Sequence, residues 1–62
     1  MLKIVKGVSK KGFPYYALVY DTGVSTVYLT FDKLKILEVA NITCGELDNF
    51  FLQDTNAYYC IK

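Results

Sequence analysis

Alternating apolar and polar side chains in the first 31 residues restrict the fold of this chain more than any other feature. The alternation covers residues 1–8, 15–20 and 25–31, with turn-forming residues between the segments at 9–12 and 21–23. Such a period of two predicts three consecutive strands. Pro14 is expected at the start of the second strand because proline cannot donate to a strand ladder. In the third strand, Val27, Leu29 and Phe31 should share one face, with Tyr28 on the other.

The period changes at Asp32 from that of a strand to that of a helix. The Asp32 carboxylate can cap the helix, and Asn41 can end it in a left-handed conformation. The apolar stripe between them, at helical spacing, consists of Leu34, Ile36, Leu37 and Ala40. Thr43 and Glu46 fit a capping box for a second, short helix. Its apolar residues lie three and four positions apart and should share one face: Leu47, Phe50 and Phe51.

The end of the chain predicts a fourth strand. A polar break at residues 53–56 precedes an apolar segment at 57–61, which we expect beside the first strand because an unpaired strand would be an exposed edge. The order β-β-β-α-β, with a short second helix, predicts one α+β domain over residues 1–62. A three- to four-stranded antiparallel sheet should carry both helices on one face. The expected core residues are Leu2, Ile4, Leu18, Val27, Leu29, Leu34, Leu37 and Phe50.

Length and composition together predict self-association. A chain of 62 residues buries only about 60% of its unfolded surface. Since 53% of its residues are hydrophobic and 16% aromatic, more than a monomer can hide, we expect a homodimer. No apolar run approaches the roughly 18 residues of a membrane span, and no signal peptide is evident, so we expect a cytoplasmic protein without membrane contact. There, Cys44 and Cys60 are expected as buried free thiols, with a disulfide as the alternative.

The sequence lacks the combinations of residues on which most catalytic and metal sites depend. Without histidine, the chain lacks the usual general base and every histidine-based triad. Two cysteines without histidine do not form a zinc site, and the scattered glycines form no phosphate-binding motif. Asp21 and Asp32 flank the third strand, too far apart to act on one bond. We therefore expect no enzyme activity, no cofactor and no metal.

The charged residues are distributed unevenly, and this distribution indicates a binding function. Residues 1–20 contain four lysines and no acid, whereas residues 36–54 contain four acids and no base. Beside the first turn, lysines can neutralise phosphates and aromatic rings can stack on unpaired bases. The predicted single-stranded nucleic-acid site comprises Lys6, Lys10, Lys11, Phe13 and Tyr15. A structural interpretation also fits, since lysines at hairpin tips prevent aggregation and tyrosines fill small cores.

The first hairpin also resembles a known family. The stretch Gly-Val-Ser-Lys-Lys-Gly-Phe-Pro-Tyr at residues 7–15 is similar to the first hairpin of the helix-destabilising, single-stranded-DNA-binding proteins of filamentous phages, and seven of its nine positions fit. The segment at 18–23 resembles the strand that follows in that family. The resemblance implies an OB-type barrel, a dimer that coats single strands, Lys10 on phosphate and Tyr15 against a base. Beyond residue 24 that family continues with more strands, whereas this chain turns helical at Asp32.

The whole chain looks like a small phage-encoded protein, which leaves two functions open. The first is a non-catalytic phage or plasmid accessory protein that binds single-stranded nucleic acid inside a bacterial cell. The alternative is a small interaction or inhibitor module that binds a host or phage protein through a sheet edge or an acidic face. That acidic face would include Glu46, Asp48 and Asp54. Lysines that converge with exposed aromatic rings would favour nucleic acid, and an exposed apolar patch would favour a protein partner.

Overall fold

A computed structural model, which describes residues 1–53 and 58–61, shows four strands and two helices. The elements are β1 (Leu2–Val8), β2 (Pro14–Asp21), β3 (Thr26–Thr30), α1 (Lys33–Ala40), α2 (Cys44–Gln53) and β4 (Tyr58–Cys60). The strands form one antiparallel sheet in the order β3-β2-β1-β4. The predicted α+β class is therefore confirmed, with β4 beside β1 and Pro14 at the start of β2. The described strands form an open sheet rather than the barrel that the resemblance implied.

The register of the sheet assigns each side chain to one of two faces. In the β1–β2 pair, Ile4 lies opposite Leu18, and Val5 lies opposite Ala17. Successive residues of a strand point to opposite faces, so these two pairs mark the two sides of the sheet. Ile4 and Leu18 belong to the core cluster with both helices. We call the other side, marked by Val5, Ala17 and Val19, the outer face.

The core lies between the sheet and the two helices. Its buried members are Ile4 of β1, Leu18 of β2, Ile36 of α1 and Leu47 of α2. Half-buried apolar side chains surround them, including Leu2, Leu37 and Phe51. Burying an aliphatic side chain contributes about 1.5–3 kcal/mol, so these four residues supply a large part of the stability of so small a domain. The core therefore holds α1 and α2 on one side of the sheet and leaves the outer face to the strands.

The predicted helix ends are confirmed. The Asp32 carboxylate accepts from the Leu34 N–H (3.0 Å), and Asn41 ends α1 in the left-handed region with a φ of 57°. At the start of α2, the Thr43 hydroxyl accepts from the Glu46 N–H (3.1 Å), which is one of the two bonds of the predicted capping box. In place of the second bond, the Thr43 hydroxyl donates to Glu46 Oε1 (3.1 Å). Such caps satisfy backbone N–H groups that have no partner within the helix.

Three predicted core residues are exposed, and these predictions were wrong. Leu34 is 78% exposed because α1 turns Ile36 to the sheet, and two positions correspond to about 200° around a helix. Val27 and Leu29 are 47% and 52% exposed because β3 is the edge strand and the buried helix residues pack on the central strands instead. Of the other predicted core residues, Ile4 and Leu18 are buried, and three are half-buried: Leu2, Leu37 and Phe50.

Both cysteines are free, as expected, but exposed rather than buried. Cys44 is the first residue of α2, and Cys60 is the last residue of the short strand β4. Residues 54–56 of the predicted polar break and Ala57 of the predicted last strand lie outside the described residues. Neither helix within the described residues is long and apolar enough to cross a membrane.

Candidate nucleic-acid interface

The turn between β1 and β2 presents three of the five predicted site residues. Ser9 closes it: the Ser9 N–H donates to the Phe13 carbonyl (2.8 Å), and the Phe13 N–H donates to the Ser9 hydroxyl (3.1 Å). Gly12 has a φ of 87°, which glycine adopts without steric cost. Lys10, Lys11 and Phe13 are exposed. The turn therefore holds two ammonium groups and one phenyl ring in solvent at one end of the sheet.

Tyr15, the fourth predicted residue, follows the turn on the outer face. It lies opposite Gly7 in the β1–β2 register. A Cβ atom at Gly7 would lie 2.5 Å from Cζ and from Oη of Tyr15, so the tyrosine ring covers the glycine. Gly7 does not have a positive φ, so its backbone alone does not demand glycine. The glycine of the hairpin motif is therefore required by the position of the Tyr15 ring.

Two further aromatic rings extend from Tyr15 across β3, and we call Tyr15, Phe31 and Tyr28 the aromatic platform. The centroids of Tyr15 and Phe31 are 5.8 Å apart in an edge-on contact, and those of Phe31 and Tyr28 are 5.7 Å apart in a stacked contact. The rings remain accessible, with exposed fractions of 38% for Tyr15, 60% for Phe31 and 55% for Tyr28. Ala17 and Val19, on the same face, are fully buried. The platform is thus one connected aromatic surface around small, shielded residues.

Tyr28 and Phe31 were not predicted as site residues: Tyr28 was expected in core or dimer packing, and the position of Phe31 is determined by a β-bulge. Strict alternation places residues 28 and 31 on opposite faces. In β3, however, Leu18 pairs with Thr30 and Val19 pairs with Tyr28, so Leu29 is an extra residue. The bulge brings Phe31 onto the same face as Tyr28. The prediction that Phe31 shares a face with Val27 was therefore wrong. No glycine or proline marks the bulge in the sequence.

Lys6, the fifth predicted residue, lies on the helix side of the hairpin. Its Nζ is 5.8 Å from the centroid of the Tyr16 ring. A cleft of about 390 Å³ lies beyond the end of the β2–β3 pairing, and its lining includes Lys6, Tyr15, Tyr16, Phe31, Lys33 and Asp48. The cleft therefore joins Lys6 to two rings of the platform. Lys33, which the sequence had not indicated, adds a second ammonium group.

One wall of this cleft is fixed by three polar contacts of Asp48 in α2: one to β2, one to α1 and one within α2. The Tyr16 hydroxyl donates to Asp48 Oδ1 (2.8 Å), Lys33 Nζ lies 3.5 Å from the same oxygen, and the Cys44 thiol donates to Asp48 Oδ2 (3.6 Å). Burial raises the pKa of Tyr16 to about 12, and the hydrogen bond to Asp48 and its charge add to this. The hydrogen bond from Tyr16 lowers the pKa of Asp48, as does Lys33. The Cys44 thiol and Asp48 raise the pKa of Lys33.

Lys3 does not join the other N-terminal lysines. Its Nζ lies 3.2 Å from Asp21 Oδ2 and 4.4 Å from the centroid of the Tyr58 ring. The Gly23 N–H and the Lys3 ammonium lower the pKa of the Asp21 carboxyl. This ion pair lies in the part of β1 farthest from the turn. Of the four N-terminal lysines, Lys6, Lys10 and Lys11 therefore lie at the same end of the hairpin as the aromatic platform.

No family model, curated protein or solved structure matches this chain. The likeness of residues 7–15 to the hairpin of the filamentous-phage proteins therefore stays a prediction. Within the described residues, no group of three or more histidine, cysteine, aspartate or glutamate side chains could hold a metal ion.

Proposed function

We propose that the protein binds single-stranded nucleic acid, with bases on the aromatic platform and phosphates against the lysines of the hairpin. The observation that carries the proposal is the platform itself: three rings in contact, each at least a third exposed, beside a turn with two exposed lysines. Four-stranded sheets with exposed aromatic rings and helices on the opposite face are a common design for binding unpaired bases.

Stacking supplies the affinity that the net charge does not. The formal charge of the chain is only +1, so bulk electrostatic attraction to phosphate is weak. A base stacked on an aromatic side chain is worth about 1–3 kcal/mol and tolerates any sequence. Because paired bases hide their faces inside a duplex, we expect preference for single strands. Phosphate contacts of Lys6, Lys10 and Lys11 then set the path of the backbone past the platform.

The number of lysines predicts the salt dependence. Three phosphate contacts on a single strand give a slope of about −2 for the logarithm of the association constant against the logarithm of salt concentration. Raising salt from 50 to 200 mM should therefore weaken binding about twentyfold. Substituting Lys10→Gln together with Lys11→Gln should reduce the slope to about −0.7. Lys35→Gln, an exposed lysine of α1, is the matched control and should leave the slope unchanged.

The proposal is tested by fluorescence anisotropy of labelled oligonucleotides, single-stranded and duplex, at two salt concentrations. Phe31→Leu should weaken single-strand binding by about 5- to 150-fold and leave the salt slope intact, because it removes stacking and not charge. Tyr20→Leu is the control, since Tyr20 is exposed but lies on the helix side. Absence of binding at tens of micromolar protein in low salt would contradict the proposal.

The proposed biological setting follows from the resemblance of the hairpin. On that basis we place the protein among the non-catalytic accessory proteins of a phage or plasmid, acting in the cytoplasm of a bacterial cell. We also propose that it acts as a homodimer, since large apolar side chains remain exposed on β3.

The alternative function is a protein-interaction module that binds through an acidic face or a sheet edge, and the sheet edge has the better support. Asp48, which we expected on the acidic face, is bound by Tyr16 and Lys33 and so is poorly placed to mimic a phosphate. Asp54 lies outside the described residues. The exposed edge of β3 does favour a protein contact. Capture of a different protein by the wild type, lost on Val27→Lys, would support this alternative.

A further inference from the structure

The edge strand β3 has the composition of an interface rather than of a solvent-exposed edge. All its residues except the half-buried Thr30 are exposed. Natural sheets protect such edges with lysine, proline or a bulge, because exposed backbone groups pair with other chains. Residues 22–31 contain no charged residue and no proline. Of these devices, the described part of β3 has only the bulge at Leu29. The bulge interrupts only the last two residues of β3, so the regular edge at residues 26–28 is suited to pairing with another strand.

The sequence of β3 identifies the other strand as a second copy of itself. It reads Thr-Val-Tyr-Leu-Thr at residues 26–30, which is chemically the same in both directions. When two copies pair antiparallel about Tyr28, tyrosine lies opposite tyrosine and Val27 lies opposite Leu29 of the other copy. The bulge at Leu29 puts Thr26 and Thr30 on different faces, so the threonines do not add a matched pair. Aromatic and β-branched cross-strand pairs are the ones that stabilise sheets. A two-fold axis also closes the assembly, whereas pairing β3 with β4 of another copy would continue into a fibre.

We propose that the protein forms a homodimer through antiparallel β3–β3 pairing centred on Tyr28, which creates one continuous eight-stranded sheet. A two-fold axis perpendicular to the sheet keeps both outer faces on one side and all four helices on the other. The Tyr28 rings of the two copies then meet at the centre, so that the two aromatic platforms become one surface. The joined binding surface rests on the proposed function, but the dimer itself does not.

The interface is small, and this sets the expected affinity. A pair of five-residue strands with their flanking side chains buries less than the roughly 1,200 Å² that stable complexes bury. We therefore expect a reversible dimer with a dissociation constant on the order of tens of micromolar. A lysine at Val27 would bring two positive charges to the interface and should raise that constant at least about tenfold.

The register can be tested by a crosslink without nucleic acid. In the proposed pairing the two residues 28 are opposite each other, with Cα atoms about 4.5–5.5 Å apart, which is within the range of a disulfide. Residue 26 lies opposite residue 30, so the two residues 26 are about 14 Å apart and cannot be bridged. Tyr28→Cys and Thr26→Cys therefore form a matched pair of exposed positions on one strand. Both are made in a background with Cys44→Ser and Cys60→Ser.

Under mild oxidation, Tyr28→Cys should form covalent dimers at least about tenfold faster than Thr26→Cys. Sedimentation equilibrium should show wild type and Leu52→Lys as reversible dimers and Val27→Lys as a monomer. Leu52 is a suitable control because it is an exposed apolar residue of α2. Three results would each overturn the proposal. The two cysteine variants could crosslink equally fast, the wild type could stay monomeric up to millimolar concentration, or Val27→Lys could dimerise with wild-type affinity. None of these measurements uses an oligonucleotide. They can therefore refute the dimer without refuting nucleic-acid binding, and the anisotropy assay can refute binding without refuting the dimer.

Discussion

Replacing Gly7 with alanine should separate binding from stability. The new Cβ atom would lie 2.5 Å from the end of the Tyr15 ring, whereas ordinary contacts begin near 3.4 Å, so the ring must retreat by about 1 Å or more. The clash involves the far end of a partly exposed side chain, so the ring can yield without moving the backbone. The retreating ring leaves its edge contact with Phe31 and its place in the platform.

Opposing terms of similar size keep the expected change in stability small. An aromatic pair such as Tyr15–Phe31 is worth about 0.5–1.5 kcal/mol beyond burial. In the opposite direction, replacing glycine with alanine where the backbone permits it stabilises a protein by about 0.4–1 kcal/mol, through the unfolded state. Gly7 permits it because its φ is not positive. The free energy of unfolding should therefore change by less than about 1 kcal/mol. Loss of one stacked base, by contrast, should weaken binding about 5- to 150-fold.

Urea unfolding and oligonucleotide anisotropy on the same protein samples measure these two effects. Gly23→Ala is the control: Gly23 has a φ of 93° with open space around it, so alanine there is strained but far from the platform. We expect this control to lose about 1–2 kcal/mol of stability and to bind normally when folded. A Gly7→Ala variant that binds like the wild type would refute the role of the Tyr15 ring. A stability loss above about 2 kcal/mol would refute the reasoning about the backbone.

Two further predictions concern the core and the cleft wall. Ile36→Ala should lower the free energy of unfolding by about 2–5 kcal/mol because Ile36 is fully buried, whereas Leu34→Ala on the same helix should change it by less than about 0.5 kcal/mol, as urea titration will measure. The unfolded chain loses the Tyr16 proton near pH 10, whereas the folded protein keeps it until about pH 12. The stability that Tyr16 supplies is thus complete below pH 10 and lost between pH 10 and 12. Melting temperatures across this range should fall less in Tyr16→Phe, and an equal fall would contradict the role of Tyr16.

The features that the sequence predicted correctly are those decided within a few residues. Asp32 caps α1 through the N–H two positions later, and Asn41 ends it through its own φ. The turn after β1 closes through Ser9 and Gly12 in the same local way. Such interactions depend on residue types and spacings that any reader of the sequence can see. The order and type of all six elements were therefore predictable.

The features that could not be predicted depend on contacts between elements. The exposure of Leu34 depends on which side of α1 meets the sheet, since the stripe at residues 34–40 is wide enough for several rotations. The aromatic platform depends on a bulge in β3 whose only sequence trace would be a break in alternation, and no such break is visible around Leu29. The hairpin lysines and Tyr15 were found from the sequence, whereas Phe31 and Lys33 required the structure.

The outer face predicts that the proposed nucleic-acid binding and the stability of the sheet depend on the same aromatic rings. Ala17 and Val19 are fully buried on a face that no described helix covers, so the surrounding rings of the strands must shield them. If the protein binds nucleic acid as proposed, the rings of the platform have two roles: they shield small residues of the sheet and they stack on bases. Truncating any ring would uncover apolar surface and remove a stacking partner together. Gly7→Ala, which displaces a ring without removing it, and the lysine substitutions of the turn avoid this coupling, whereas Phe31→Leu must be shown by urea titration to be fully folded before its binding is compared.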